Sequence, residues 1–152
     1  VIAGCTTSPQ LVLDPLWVKV AELAGARRYE EAASMRDRAN AFAGAITRQR
    51  LFDQLRAAGE VEIQIHDTVL HIRDGILLSA QQQGQLATGL ELSPPPVPAY
   101  PATLPRQAAD EVLCLARAID RASFHARLQS CTGEWTWPTT PVREVTRLVK
   151  RG

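Results

Sequence analysis

Apolar residues in the first part of the chain recur at helical spacing. Leu16, Trp17, Val20, Leu23 and Ala24 form one stripe, with Lys19 and Glu22 on the opposite side. Asp14 before Pro15 predicts an N-cap with proline at the first helical position, and Gly25 predicts a left-handed stop, so a short helix is expected over about residues 15–24. The preceding VIAGCTTSPQLVL is apolar and turn-rich and reads as a segment entering from upstream. After a short turn, a second helical pattern starts near Arg28 and runs to about Ala58, where Gly59 is the natural terminator. Its seam is Tyr29, Ala32, Ala33, Met35, Ala39, Phe42, Ala43 and Ile46, whose small members permit close approach of a neighbouring helix. Glu30 and Glu31 fall in the first turn, favourable against the positive end of the helix dipole. So short a connection predicts two antiparallel helices.

The period then changes to two. In EVEIQIH, Val61, Ile63 and Ile65 alternate with Glu60, Glu62, Gln64 and His66, the pattern of a strand with one wet face. Asp74-Gly75 between two β-prone runs predicts a tight hairpin turn. Three antiparallel strands follow, at about 60–66, 69–73 and 76–81. Residues 81–105 are polar and then proline-rich, a stiff connector whose proline-dense part is 93–105 and which is read as a crossover rather than as a ligand for another module. Ala109, Val112, Leu113, Ala116 and Ile119 mark an amphipathic helix over about 106–121, placed to cover the apolar side of the sheet. FHARLQSC predicts a fourth strand at about 124–131, GEWTWP closes it, and residues 141–150 are expected to form a short basic helix. The predicted class is α+β: an N-terminal antiparallel helical hairpin (1–59), then a small, mainly antiparallel sheet of about four strands covered by a helix (60–152).

Composition adds limits. With 45% hydrophobic and 22% charged residues the chain should fold as a soluble globule. Seventeen basic residues nearly cancel sixteen acidic ones, so a nucleic-acid or membrane partner would have to be met by a local patch. The odd, widely spaced Cys5, Cys114 and Cys131 form no C-x-x-C pair, which argues against a disulfide framework or zinc ribbon and fits a reducing cytoplasm. No apolar run approaches the roughly 20 residues of a membrane span. The chain opens on Val1 rather than Met, which suggests a processed chain or a fragment of something longer.

Candidate chemistry is sparse. His66 and His71, five apart near a predicted hairpin, could face one another, but no carboxylate or cysteine cluster at ligand spacing joins them, and His125 stands alone. No D-x-E or D-x-D pair, phosphate-binding glycine loop or dinucleotide fingerprint is present, so no catalytic residue, metal ligand or cofactor-binding residue is assigned. Cys114 is expected in the core rather than as a nucleophile. Arginines along the hairpin are partly offset by Glu30, Glu31, Asp37 and Asp53. Arg143, Arg147, Lys150 and Arg151 are the better candidates for contact with DNA, weak and salt-sensitive.

One stretch carries a family likeness. AGARRYEEAASMRDRANAF resembles the UVR motif shared by the excinuclease subunits UvrB and UvrC: an aromatic followed by glutamate, a small pair, then Arg-Asp, here Tyr29, Glu30, Ala32, Ala33, Arg36 and Asp37. Arg27 and Arg28 stand where that motif often has a Leu-Asp type pair, a departure bearing on partner choice. The resemblance implies a helical hairpin that pairs with another copy of the motif, joining UvrC to UvrB or making a homodimer. The order of elements, ending in TGEWTWP, further resembles the C-terminal portion of actinobacterial proteins that join a DEDD-type exonuclease to a UvrC-like region. The implied role is non-catalytic: partner docking or self-association in a bacterial UvrC-like DNA repair nuclease, with Tyr29, Glu30, Ala33, Arg36, Asp37 and Phe42 at the contact. The implied partner is a UvrB-like protein or a second copy. The alternative is a DNA-contacting accessory module that positions an upstream nuclease domain.

Overall fold

The computed structural model describes residues 8–82, 90–91 and 103–138. The expected α+β architecture is present. In chain order its elements are α1 (Gln10–Gly25), α2 (Tyr29–Ala57), β1 (Glu60–Ile65), β2 (Thr68–Arg73), β3 (Ile76–Gln82), β4 (Leu90–Glu91), α3 (Arg106–Ala122) and β5 (Ala126–Cys131). The described residues fall into two compact units, the first ending at Arg50 and the second beginning at Leu51, inside α2.

In the first unit, α1 and α2 form an antiparallel hairpin. Leu13, near the start of α1, packs with Ala39, Ala43 and Ile46 of α2, and Leu16, Trp17 and Phe42 close over them. Both ends of α1 differ from expectation. The helix begins a turn early, with Pro9 ahead of it and the amides of Val12 and Leu13 donating to the Pro9 carbonyl at 3.1 and 2.9 Å. Asp14 is therefore not a cap, and Pro15 lies inside the helix. Burial of Leu13, worth about 2 kcal/mol, rewards the extra turn, set against the bond to the Leu11 carbonyl that Pro15, having no N–H, cannot make. At the other end Gly25 is still helical. The left-handed residue is Arg27 (φ 59°), and the Arg27 and Arg28 amides reach back to the carbonyls of Ala24 (3.0 Å) and Leu23 (2.9 Å), the Schellman arrangement with a non-glycine residue at its turning point.

In the second unit the strand order is β4-β3-β2-β1-β5, and every pairing among the described strands is antiparallel. Four of these strands are the expected ones. The fifth, the two-residue β4, pairs Leu90 and Glu91 with Ala80 and Ser79 from within the stretch read as connector. Asp74 (φ 49°) and Gly75 (φ 86°) make the β2–β3 turn with both residues left-handed, the I′ pattern that matches strand twist. Ile63 and Val61 of β1 and Ile72 of β2 meet Val112, Ala116 and Ile119 of α3, the i, i+4, i+7 stripe of that helix, while Leu51, Leu55 and Ala58 complete the core from the end of α2. That stripe leaves Cys114 on the other side of α3, exposed, and corrects its assignment to the core.

The segment after β5 clasps the end of α2. Carbonyls in the last turn of a helix lack partners within it. Here the Gly133 amide donates to the Ala58 carbonyl at 2.9 Å and the Glu134 amide to that of Ala57 at 3.1 Å. Cys131 Sγ also reaches the Ala58 carbonyl (3.2 Å), and Thr132 exchanges two bonds with Glu60, one through its backbone amide (3.0 Å) and one accepted by its hydroxyl (2.8 Å). Trp135 and Trp137 then lie against the core. The connector residues 92–102 and the expected terminal helix at 141–150 lie outside the described residues.

Candidate docking surface

The hairpin divides the seam read from the sequence into two parts. Ala32, Ala39, Ala43 and Ile46 are buried, and Leu13 covers the last three from α1. Ala33, Met35 and Phe42 are half-buried, with Phe42 packed on the hairpin core. Tyr29 remains 66% exposed in the first turn of α2. One turn on, Ala33 lies on the same side of the helix, followed by Arg36, since positions i, i+4 and i+7 share a face. Glu30, Arg36 and Asp37 are exposed, and Arg36 binds Asp37 through Nε (3.0 Å) and Nη2 (2.9 Å).

Charge around this ridge is arranged in local pairs. Arg28 grips the carboxylate of Glu31 with Nε at 2.6 Å and Nη2 at 2.5 Å, and Lys19 meets Glu22 at 2.9 Å. The hydrogen bonds to Glu31, and then its charge, raise the Arg28 pKa above its ordinary value. Such exposed pairs contribute little to stability but set the polar pattern that an approaching surface meets.

Two apolar residues unsuspected from the sequence also face solvent. Leu11 is 78% exposed and Val18 59%, seven positions apart and so on one side of α1, turned away from the Leu13 side that packs on α2. Leu11 was missed because the helix was expected to begin after it.

The histidines are arranged otherwise than their spacing implied. His66 occupies the two-residue β1–β2 turn with φ 52°, whereas His71 lies within β2, opposite Glu62 on one side and Ser79 on the other. The ring beside His66 is that of His125, 59 residues further on by number. Among the described residues no group of three or more His, Cys, Asp or Glu side chains is placed to hold a metal ion, and no helix is long and apolar enough to cross a membrane. Arg143, Arg147, Lys150 and Arg151 lie outside the described residues.

Comparison with known proteins gave no match: no family model, no curated protein and no solved structure is significantly similar to the chain.

Proposed function

We propose that the helical hairpin is a docking element, in which the N-terminal half of α2 receives a second hairpin of the same kind. That second hairpin belongs to another copy of this chain or to a UvrB-like protein, in a bacterial DNA repair nuclease of UvrC-like type. The observation that carries this reading is the division of the hairpin's apolar surface. Its own core uses Leu13, Ala39, Ala43 and Ile46, and leaves Tyr29 exposed beside Ala33 at the motif-bearing end. A two-helix unit buries little by itself and gains stability when a further helix pair covers its open side.

In this arrangement Tyr29 is the anchor, an aromatic that contributes contact area at small entropic cost. Ala33 keeps the ridge low enough for a partner helix to approach. Glu30 and the Arg36–Asp37 pair form the polar rim that orients the partner, and Phe42 backs the ridge from the hairpin core.

Light scattering on the eluting protein at micromolar concentration tests the reading, together with pull-down of a UvrB-like protein. Tyr29→Ala and Ala33→Glu should abolish the dimer or the complex while the circular dichroism of the chain stays unchanged. Association through an apolar ridge should persist from low to high salt, whereas binding to labelled duplex that collapses with salt would favour the DNA-contacting reading instead. A parent chain that stays monomeric and captures no UvrB-like partner overturns the proposal.

A further inference from the structure

The strongest feature outside the hairpin is a pair of imidazoles brought together by the sheet. His66 sits in the β1–β2 turn and His125 in the turn between α3 and β5, and their ring centroids are 5.2 Å apart with the planes inclined by 31°. Both residues are exposed. They are neighbours because Ile65 and Ala126 form the terminal pair of the β1–β5 ladder, so the residue after one and the residue before the other leave the sheet at the same corner.

Both backbones are held independently of any ligand. His66 lies in a two-residue turn whose carbonyl accepts from Gln64 Nε2 at 3.0 Å, and the His125 amide donates to the Ala122 carbonyl at 2.8 Å. A left-handed φ in a residue with a side chain carries a modest backbone cost, and such positions cluster where a side chain must be aimed.

We propose that His66 and His125 form a two-histidine chelating site for a borderline divalent cation of the zinc, nickel and copper class. The geometry matches that chemistry. With each nitrogen about 2.0 Å from the metal and each ring centre about 1.2 Å beyond it, tetrahedral ligation places two imidazole centres about 5 Å apart. The observed centroid separation of 5.2 Å is the one such ligation requires. Imidazole suits this class of cation, while calcium and magnesium take oxygen donors. Two protein ligands leave the remaining coordination positions to water or to a donor from another molecule. The ion would tie the β1–β2 turn to the α3–β5 turn, adding a cross-link between segments remote in the chain.

The test uses the full chain, stripped with a chelator and titrated calorimetrically with zinc chloride, with thermal unfolding followed in parallel. His66→Asn is the suitable variant, because asparagine tolerates a left-handed backbone better than alanine. His125→Ala is its counterpart and His71→Ala the control. The parent should take up one zinc ion and unfold at a higher temperature with zinc present. Either substitution should weaken binding at least about tenfold, since the second ligand acts at the high effective concentration of a tethered group. The double variant should bind at least as weakly as either single one, since it also loses the one remaining imidazole ligand, and His71→Ala should stay within about twofold of the parent. Equal zinc affinity in the parent and both single variants, or an equal loss in His71→Ala, overturns the proposal. So does a zinc-induced rise in unfolding temperature that survives the double substitution.

Discussion

Replacing Gly133 by alanine examines the clasp that joins the end of β5 to the end of α2. A Cβ at this position would lie 2.1 Å from the Ala57 carbonyl oxygen, 2.9 Å from the Ala58 carbonyl carbon and 3.0 Å from its oxygen. All three are backbone atoms at the end of a helix, so no side chain can rotate out of the way. The φ of Gly133 is not left-handed, so the demand for glycine here is purely steric. Relief requires the 133–134 segment to lift, which breaks the bonds from Gly133 to Ala58 and from Glu134 to Ala57, each worth about 1 kcal/mol net. Residual strain adds about 1–2 kcal/mol, as for other insertions into packed regions. The expected destabilisation is about 3 kcal/mol, a fall of about 2 M in the urea midpoint for a slope near 1.5 kcal/mol/M. Tryptophan fluorescence reports it, because Trp135 and Trp137 follow the substituted residue and pack on the core it closes. Gly25→Ala is the contrast. Nothing lies within 4 Å of a Cβ there and the residue is helical, so alanine should be neutral or stabilising by up to about 1 kcal/mol. A Gly133→Ala midpoint that differs from the parent by no more than experimental error would refute the reasoning.

Three further outcomes are expected. Gly75→Ala combines a φ of 86° with a Cβ 3.0 Å from Val112 Cγ1 and 3.1 Å from Arg56 Cγ, and should cost about 2 kcal/mol in urea unfolding, with hydrogen exchange rising first in the β2–β3 turn. Ile119→Ala removes a fully buried side chain from the stripe that α3 lays on the sheet and should cost about 3 kcal/mol by the same assay. Glu31→Gln removes the exposed carboxylate paired with Arg28 and should leave the unfolding temperature of the hairpin unchanged within error, with any small effect vanishing in high salt.

Local pattern made most elements legible. The change of period at Glu60, the Asp74-Gly75 turn, the stripe from Val112 to Ile119 and the termination at Gly59 (φ 68°) are written in neighbouring residues and survive intact in the folded chain. Each is enforced by interactions within a few positions, so one sequence suffices to find them.

What escaped depends on packing between remote residues. The start of α1 moved because Leu13 finds a place against Ala39, Ala43 and Ile46, and that tertiary reward outweighs the boundary signal of Asp14 and Pro15. The end of α1 also lies later than expected, with Arg27 taking the left-handed turn that Gly25 was better suited to supply. Cys114 was misassigned because helical phase, not local hydrophobicity, decides which residues of α3 face the sheet. His66 met His125 rather than His71 through the β1–β5 register, which appears nowhere in the spacing of the residues themselves. The sequence by itself therefore determined the elements and their order. Only the folded chain decided how much of the α2 ridge is spent on its own hairpin and which side chains share a corner of the sheet, since both follow from contacts whose partners are distant in sequence and cannot be chosen locally.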